Sequence, residues 1–510
     1  MKKFMTDIRT LAALLMASAT FAACSSDDSD FTADQPAQPA GKQVYTMTVS
    51  ATKGDNTTRG LSLDDKTLNA VWKEGETVKV YNASNEKIAE LAPTTTGTAS
   101  TTLTGEITGT MPNVDDALTL KFLSPDYTSQ DGTLAYIESH CDYATASVTV
   151  SSVSGSNITT DDANFVNQQA IVKFTLVDKA NVTTKLNPTT FTITWFSANN
   201  KEEVVKLTGI PDATYDANGD GVLYVALPAI SNKLVMLAAN VGDDMYTMEK
   251  KGVTFANGQY YAITAKTEKY DALNTPLTFL IIDMTKYTDG KFCFTNKASG
   301  SVYYTINGGD RVEIKAGSES EFAVEPGDKV AFYGDNATYG ASTDNNCSFC
   351  GDKSSQGYYY IYGNIMSLVS SEDYANATVL TNNYTFKSMF SDSYNMRNHP
   401  YKKIMLPATT LTPYCYESMF ANCNSLEEAP DLPAKNGAQY CYQYMFANCY
   451  ALKSIKCLLK STRYRSSYFT KDWVPSSSAD SGTIFTNSEC KDWTNGSSGI
   501  RSGWTRIDVE

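Results

Sequence analysis

Residues 415–423 read Cys-Tyr-Glu-Ser-Met-Phe-Ala-Asn-Cys, and residues 441–449 read Cys-Tyr-Gln-Tyr-Met-Phe-Ala-Asn-Cys. The triplet Leu-Pro-Ala recurs with the same period of 26 residues, at 406–408 and at 432–434. A degenerate copy, Phe-Lys-Ser-Met-Phe at 386–390, precedes both. Repetition at this short fixed period predicts a solenoid, because a single coil cannot bury its apolar face without neighbours.

Each coil is predicted to contain one helix-like turn and one strand. Within a copy, apolar residues recur at the spacing of a helix face, at Cys415, Met419, Cys423 and Leu426. Residues 452–457 alternate apolar and polar side chains as a short strand does. This combination predicts a leucine-rich-type solenoid over 373–460, capped by a β-module on one side and by residues 461–510 on the other.

The repeat wording is more specific than its period. Met-Phe-x-Asn-Cys-x-x-Leu stands at 419–426 and again at 445–452. It resembles the BspA-like leucine-rich repeats of Bacteroides surface proteins. Members of that group are surface adhesins that bind host matrix proteins or other bacteria, so the resemblance implies an adhesive role.

A candidate ligand surface follows from the residues that fall off the predicted inward face. These residues are Tyr416, Glu417, Tyr442, Gln443 and Tyr444. A row of exposed tyrosines could grip a protein or stack on a sugar, because the ring supplies a large contact area at low entropic cost. The alternative is ordinary surface decoration of a tyrosine-rich chain.

The N-terminal half is predicted to be built from strands. Residues 44–49 alternate as a half-buried strand, and further strand-like blocks stand at 68–81, 165–176, 222–229 and 258–264. Their order resembles that of the fimbrillin-like proteins of Bacteroides. The resemblance implies two β-sandwich lobes, over 43–155 and 156–268.

The predicted fold class is therefore mainly β. Strand-like segments separated by Gly and Pro turns continue over 275–370 and predict a third, small all-β module. Tandem fimbrillin-like β-sandwich domains would then be followed by this module and by a short leucine-rich-repeat solenoid.

The N-terminus has the layout of an export signal. Residues 1–23 combine early positive charge with a short apolar run, and Phe21-Ala22-Ala23-Cys24 resembles the lipobox of bacterial lipoproteins. In that family the cysteine is diacylated, so the resemblance implies anchoring through Cys24 and a lipidated, flexible linker over 24–42. The acidic tract at 25–30 resembles an export signal of Bacteroidota and implies the extracellular face of the outer membrane. An ordinary signal cleaved near Ala23, followed by a solvated spacer, is the alternative.

Composition limits the chemistry that the chain can perform. The net charge of −14 argues against nucleic acid as a partner, because a phosphate-binding face needs clustered cations. The two histidines, His140 and His399, stand in no metal-ligand or triad spacing, so we expect neither an enzyme nor a cofactor. Cys347 and Cys350 form a lone C-x-x-C pair, for which a loop disulfide or packed thiols are more plausible than redox or metal chemistry.

One segment imitates half of a calcium loop. Asp216, Asn218 and Asp220 have the spacing of its first ligands, but the twelfth position is Leu227 where a bidentate glutamate is required. Asn-Gly and Asp-Gly are also strong hairpin signals. A turn is the preferred interpretation, with a weak calcium site as the alternative.

Stacked coils would bring the repeat cysteines together. Cys415 with Cys441, and Cys423 with Cys449, should lie about 5 Å apart on adjacent coils. Oxidation is possible outside the cytoplasm. Free cysteine is also one of the most buried residue types, so we predict reduced, buried ladders.

We therefore predict a non-catalytic surface lipoprotein that acts as an adhesin through its C-terminal solenoid. Its partners would be a host extracellular-matrix protein, another bacterial surface or a glycan, besides the outer membrane that holds the lipid. One alternative is a fimbrial structural or tip subunit, in which Arg59 would be the processing site before strand exchange. The other is a glycan-binding lipoprotein of a polysaccharide-uptake system.

Overall fold

The computed structural model describes residues 44–53, 62–64, 67–69, 71–123, 126–197, 201–211, 221–283, 291–343, 345–349, 358–464, 467–474 and 481–510. Several residues of the sequence predictions lie outside these ranges, namely Cys24, Arg59, Asp216, Asn218, Asp220 and Cys350. The signal peptide and the linker lie outside them as well, so these predictions stay predictions. Within the described ranges, no helix is long and apolar enough to cross a membrane.

The structure is nearly all β, as the alternating segments predict. Its helical pieces are short: α1 (Leu134–Tyr136), a π-helical turn (Ile137–Cys141) and a 3₁₀ turn (Ile365–Leu368). Strands that alternate buried and outward side chains form the sheets of the N-terminal half, because a pleated strand buries every second residue.

The first sheet closes on itself around an apolar core. Its strands are β1 (Thr46–Lys53), β4 (Val78–Tyr81), β5 (Lys87–Pro93), β6 (Ser100–Glu106), β7 (Ala117–Phe122), β9 (Ala144–Ser154), β10 (Asn157–Thr160) and β11 (Ala163–Asn167), with a separate hairpin of β2 (Ser62–Asp64) and β3 (Thr67–Asn69). Strand β1 completes the ring because it pairs antiparallel with β6 and parallel with β10 and β11. Trp72 lies in the core, with its ring edge-on to Phe122 and Phe165.

The second sheet has eight strands over its own core. They are β8 (Ser129–Gln130), β12 (Ala170–Asp178), β13 (Thr190–Phe196), β14 (Glu202–Leu207), β15 (Leu223–Leu227), β16 (Ile230–Val241), β17 (Asp244–Phe255) and β18 (Tyr260–Lys269). The sequence places the boundary between lobes at 155/156, but β10 and β11 pair with strands of the first sheet. Conversely, β8 pairs with β14 of the second sheet. Alternation of apolar and polar residues identifies a strand. The strand with which it pairs depends on residues that are distant in the sequence.

A third sheet begins at β19 (Thr278–Asp283). With it come β20 (Lys291–Thr295), β21 (Val302–Ile306), β22 (Val312–Ile314), β23 (Glu319–Ala323), β24 (Lys329–Gly334), β25 (Ser348–Phe349) and β26 (Tyr358–Asn364). Strands β22, β21, β24, β19 and β26 form an antiparallel sheet, and β23, β20 and β25 form a small second one.

Strand β26 also starts a parallel ladder that continues into the repeats. It pairs parallel with β27 (Met396–Asn398) and β28 (Ile404–Met405). Further along, β29 (Ser454–Cys457), β32 (Gly482–Asn487) and β33 (Trp504–Val509) are parallel neighbours, while β30 (Arg463–Tyr464) and β31 (Ser467–Tyr468) form a hairpin. One continuous hydrophobic core runs from Leu277 to Ile500. The predicted β-module, repeats and C-terminal cap therefore fold as one body.

The repeated segments are runs of tight turns and not helices. Every fourth residue has the left-handed conformation, with φ between 53° and 64°, at Tyr384, Ser388, Asp392, Tyr414, Ser418, Asn422, Tyr440, Tyr444 and Asn448. The predicted inward residues Cys415, Met419 and Cys423 are indeed fully buried. A four-residue turn period imitates the 3.6-residue period of a helix, so these predicted inward residues are buried although the conformation is not helical.

Backbone hydrogen bonds alternate along each run of turns. The N–H of Met419 donates to the Tyr416 carbonyl within its own coil at 3.2 Å, whereas the N–H of Phe420 donates to the Met445 carbonyl of the next coil at 2.9 Å. The same alternation recurs where this coil meets the preceding one. Successive coils are thus joined by a backbone ladder that satisfies buried polar groups.

Candidate functional site

The interior of the coil array contains two rows of stacked aromatic rings. Phe386, Tyr416 and Tyr442 stack with centroid separations of 5.9 and 6.0 Å. Phe390, Phe420 and Phe446 form the second row, at 5.3 and 5.8 Å. All six side chains are buried.

The predicted exposure of Tyr416 and Tyr442 is therefore wrong, since each is 1% exposed. In each four-residue turn two consecutive residues, such as Cys415 and Tyr416, point inward. On a helix the second of two consecutive residues would point away from the core. Glu417 lies 3.5 Å from the Lys387 amine and is partly buried, and Gln443 is buried as well. Of the five predicted surface residues, Tyr444 is the exposed one, at 37%.

A different row of tyrosines lies on the surface of the array. Tyr384, Tyr414 and Tyr440 occupy equivalent left-handed positions in successive coils and are partly exposed. Their rings lie 5.0 and 5.3 Å apart, and the Lys387 and Lys471 amines lie 5.6 Å from the two end rings. We call these three residues the tyrosine ladder. The sequence contains a pattern that indicates the tyrosine ladder, because each of its tyrosines stands two residues before an inward aromatic residue.

Polar side chains also link equivalent positions of the coils. The amide of Asn448 donates to the Asn422 carbonyl oxygen at 2.7 Å, and the Asn422 amide donates to Asp392. The thiols of Cys423 and Cys449 donate to the carbonyls of Phe390 and Phe420. These contacts hold the coils in register.

Cys415, Cys441 and Cys449 are buried free thiols. Burial raises the pKa of Cys415 and of Cys449 to about 12, and it raises the pKa of Cys441 well above its usual value. Because the thiolate is the reactive form, these cysteines have a packing role.

A polar cleft lies where the second sheet meets the coil array. Its volume is about 610 Å³. It is lined by Glu202, Tyr360, Arg397, Asn398, His399, Pro400, Asn424, Ser425, Glu427, Glu428 and Ala451. The cleft thus combines residues of β14, β26 and β27 with loops of two coils. This set could not be read from the sequence, because it joins segments that are distant along the chain.

The walls of the cleft are fixed by internal contacts. Asn398 accepts hydrogen bonds from the N–H groups of Glu427 and Glu428 at 2.8 and 3.0 Å, and its amide donates to the Glu428 carbonyl at 2.8 Å. The Tyr360 hydroxyl donates to the Glu202 carboxylate at 3.0 Å. The Arg397 guanidinium lies over the Tyr358 ring at 4.1 Å.

Beside the cleft, a buried ion cluster joins β17 to the start of the array. The Glu249 carboxylate contacts Lys402 at 2.5 Å and Lys329 at 2.6 Å, and the His399 ring lies 3.7 Å away. Burial alone would raise the pKa of Glu249, but the adjacent His399 ring and the charges of Lys402 and Lys329 hold it well below its usual value. Burial lowers the pKa of His399 to about 4, so this histidine is neutral at pH 7.

The described residues contain no group of three or more His, Cys, Asp or Glu side chains placed to hold a metal ion. His399 belongs to the ion cluster, and His140 contacts its neighbour Ser139 on an exposed turn.

Strand β1 contributes both apolar side chains and a buried lysine to the first core. Met47 and Val49 are fully buried. Lys53 is buried too; its amine pairs with Glu76 at 2.6 Å, donates to the Val71 carbonyl at 2.7 Å and lies 4.3 Å from the Trp72 ring. This strand lies upstream of Arg59.

Comparison with known proteins finds similarity only to solved structures, at low sequence identity and over part of the chain. No protein-family model matches the chain, and no curated protein matches it. Among solved structures, a "putative cell adhesion protein" from Bacteroides fragilis NCTC 9343 is 12% identical, with a TM-score of 0.27, over 43% of this chain and 92% of that chain.

Two further structures are similar over nearly the same share of this chain. A fimbrial assembly protein from Parabacteroides distasonis ATCC 8503 is 11% identical, with a TM-score of 0.23, over 43% of this chain and 90% of its own. A protein from Bacteroides uniformis ATCC 8492 with the same description as the first is 13% identical, with a TM-score of 0.25, over 45% and 98%. TM-scores this low carry no argument for either of the functions that those descriptions mention.

Proposed function

We propose that the protein is a non-catalytic surface adhesin whose recognition surface is the tyrosine ladder of the coil array. The observation that supports the proposal is the placement of Tyr384, Tyr414 and Tyr440 at equivalent, partly exposed positions on three coils. Tyrosine is enriched at protein interfaces because one rigid ring supplies both apolar area and a hydroxyl. Tyr444 is exposed at the next left-handed position of the third coil, four residues after Tyr440.

We also propose that the coils form a BspA-like leucine-rich array. Two features support this: the Met-Phe-x-Asn-Cys-x-x-Leu wording of two coils and the short parallel strands that accompany them. The resemblance carries the expectation of a host matrix protein or another bacterial surface as the partner. A diacylated Cys24 at the outer membrane would hold the ladder at the cell exterior.

The test is a binding panel of host matrix proteins and bacterial cells with the full-length chain. Replacing Tyr384, Tyr414 and Tyr440 together with asparagine keeps a residue that tolerates the left-handed conformation and removes the rings. We expect the triple variant to lose binding while its melting temperature stays close to that of the parent.

The matched control is Tyr450→Asn, since Tyr450 is 55% exposed but lies outside the ladder. Full binding by this control, together with loss in the triple variant, supports the proposal. Unchanged binding by the triple variant contradicts it.

A fimbrial subunit is the second candidate, and strand β1 is the observation that favours it. Cleavage after Arg59 would release β1 from the closed first sheet. Its removal would expose the pairing edges of β6, β10 and β11 and an apolar slot that Met47 and Val49 occupy. A strand from another copy could then refill the slot.

Detection of the chain terminus on intact cells tests this candidate. A surface form that begins at Gly60, and that disappears with Arg59→Ala, supports the fimbrial role. If all of the surface protein retains β1, the fimbrial candidate is wrong.

A further inference from the structure

We infer that the cleft between the second sheet and the coil array is a binding site for a neutral glycan. The cleft shares no residue with the tyrosine ladder, so the inference is independent of the proposed adhesive surface. Its volume of about 610 Å³ accommodates a ligand of about two or three sugar rings.

The chemistry of the lining favours a ligand covered with hydroxyl groups. Arg397 offers guanidinium donors and, among the described residues, has no carboxylate partner. Acceptors lie around it: the Glu202 carboxylate and the side-chain oxygen of Asn424, which is buried without a hydrogen-bond partner. A hydroxyl group both donates and accepts, so adjacent hydroxyls can satisfy such a mixed set.

An apolar ligand does not fit this lining. Pro400 and Ala451 are its apolar side chains, and the Tyr360 ring is buried with its hydroxyl bound to Glu202. A ligand with a large apolar surface would therefore leave the polar groups of the cleft unpaired, which costs affinity.

The charges of the lining favour a neutral glycan over an acidic one. Glu202, Glu427 and Glu428 outnumber the single guanidinium of Arg397, and the His399 ring is buried beside its own carboxylate partner. A uronic or sulfated sugar would meet repulsion chiefly from the Glu202 carboxylate. Lys453 and Lys403 pair with Glu427 and Glu428, which reduces the attraction for a strongly cationic ligand.

The cleft is also preformed, which favours binding of a flexible polar ligand. Asn398 clamps the backbone of Glu427 and Glu428, and Tyr358 supports Arg397. The Glu249 ion cluster fixes the second sheet against the array at one end of the cleft. A rigid site avoids the ordering cost that otherwise reduces affinity.

The experiment begins with the full-length chain on an array of neutral, amino and acidic glycans, together with an oligolysine peptide. Calorimetry with the neutral oligosaccharide bound best then compares variants. We expect Arg397→Ala and Glu202→Ala each to weaken binding by about tenfold or more, because each removes hydrogen bonds from a charged group. If an alanine variant folds poorly, Glu202→Gln or Arg397→Lys replaces it in the binding comparison, because these substitutions retain much of the local packing.

Two controls separate the cleft from other surfaces. Glu203→Gln changes the next residue of β14, which pairs with Lys201 and does not line the cleft, and should bind as the parent does. The triple asparagine variant of the tyrosine ladder should also retain glycan binding. The inference is overturned if no neutral glycan binds, if acidic glycans bind better, if only oligolysine binds, or if the Glu202 and Arg397 variants bind normally.

Discussion

Two rows of tyrosine-bearing positions run along the same coils, only two residues apart in sequence, and their environments are opposite. In the inner row, Tyr416 and Tyr442 are 1% exposed and stack in line with Phe386. In the outer row, Tyr384 stacks on Tyr414 at the surface, and the Tyr440 ring is tilted by 41° against that of Tyr414. The same residue type therefore serves packing in one row and is available for recognition in the other.

The difference arises from the turn geometry. Each four-residue turn contains one left-handed residue followed by two inward residues, so the outer tyrosine sits at the left-handed position and the inner one follows two residues later. Non-glycine residues occupy this conformation at a cost, and tyrosine is not among those that tolerate it best. Use of tyrosine at three equivalent left-handed positions is accordingly better explained by its exposed ring than by backbone preference.

The largest effect is expected from removal of an inner ring. Phe420 is fully buried between Phe390 and Phe446, so Phe420→Ala would leave a cavity in the aromatic stack. We expect a loss of about 3–5 kcal/mol in the free energy of unfolding, measured by urea denaturation. Val379→Ala, at a position that is 50% exposed, is the control and should change stability by less than about 0.5 kcal/mol.

The second-largest effect on stability is expected at alkaline pH, and it comes from the tyrosines of the inner row. Burial raises the pKa of Tyr416 and of Tyr442 well above 10, so the folded state keeps both protonated where the unfolded chain ionises. Their contribution to stability is complete below pH 10 and is lost as the pH rises above it. Between neutral pH and pH 11 the parent should lose about 3 kcal/mol that the double variant Tyr416→Phe/Tyr442→Phe does not lose. Equal alkaline losses in both proteins would contradict burial of the inner row.

A smaller effect is expected from the Tyr416 hydroxyl at neutral pH. This hydroxyl is buried and has no hydrogen-bond partner. Tyr416→Phe removes an unsatisfied polar group without changing the ring, so we expect the unfolding free energy to rise by about 1 kcal/mol. A clear loss of stability in denaturant titration would show that the hydroxyl has a partner in solution.

The smallest effect on stability is expected in the outer row. Tyr414→Asn keeps a residue suited to the left-handed conformation, and we expect a change of less than about 1 kcal/mol because the ring is partly exposed. Binding to the matrix or cell partner should nevertheless fall. If Tyr414→Asn destabilises the chain as much as Phe420→Ala does, the two rows are both structural.

Much of this fold follows from local sequence patterns. Alternation predicts the strands, and the repeated block predicts stacked coils whose inward residues include Cys415, Met419 and Cys423. The lobe boundary was misplaced because β10 and β11 are completed by β1, which lies far upstream. Pairing of distant strands leaves no signature in either strand by itself.

The recognition surface was only partly predictable, for a related reason. A helix wheel applied to residues 415–423 turns Tyr416 outward, whereas the turn run buries it and exposes Tyr414. The glycan cleft could not be predicted at all, because Glu202 and Arg397 meet only through the packing of the second sheet on the array.

Tyrosine-selective chemical labelling, read by mass spectrometry with and without the bound partner, tests the central claim most directly. In the free protein, Tyr384, Tyr414, Tyr440 and Tyr444 should react, while Tyr416 and Tyr442 should not. On saturation with the matrix or cell partner the ladder should become protected, and Tyr450 should react as before. Labelling of the ladder that is unchanged by the bound partner would contradict its role as the recognition surface.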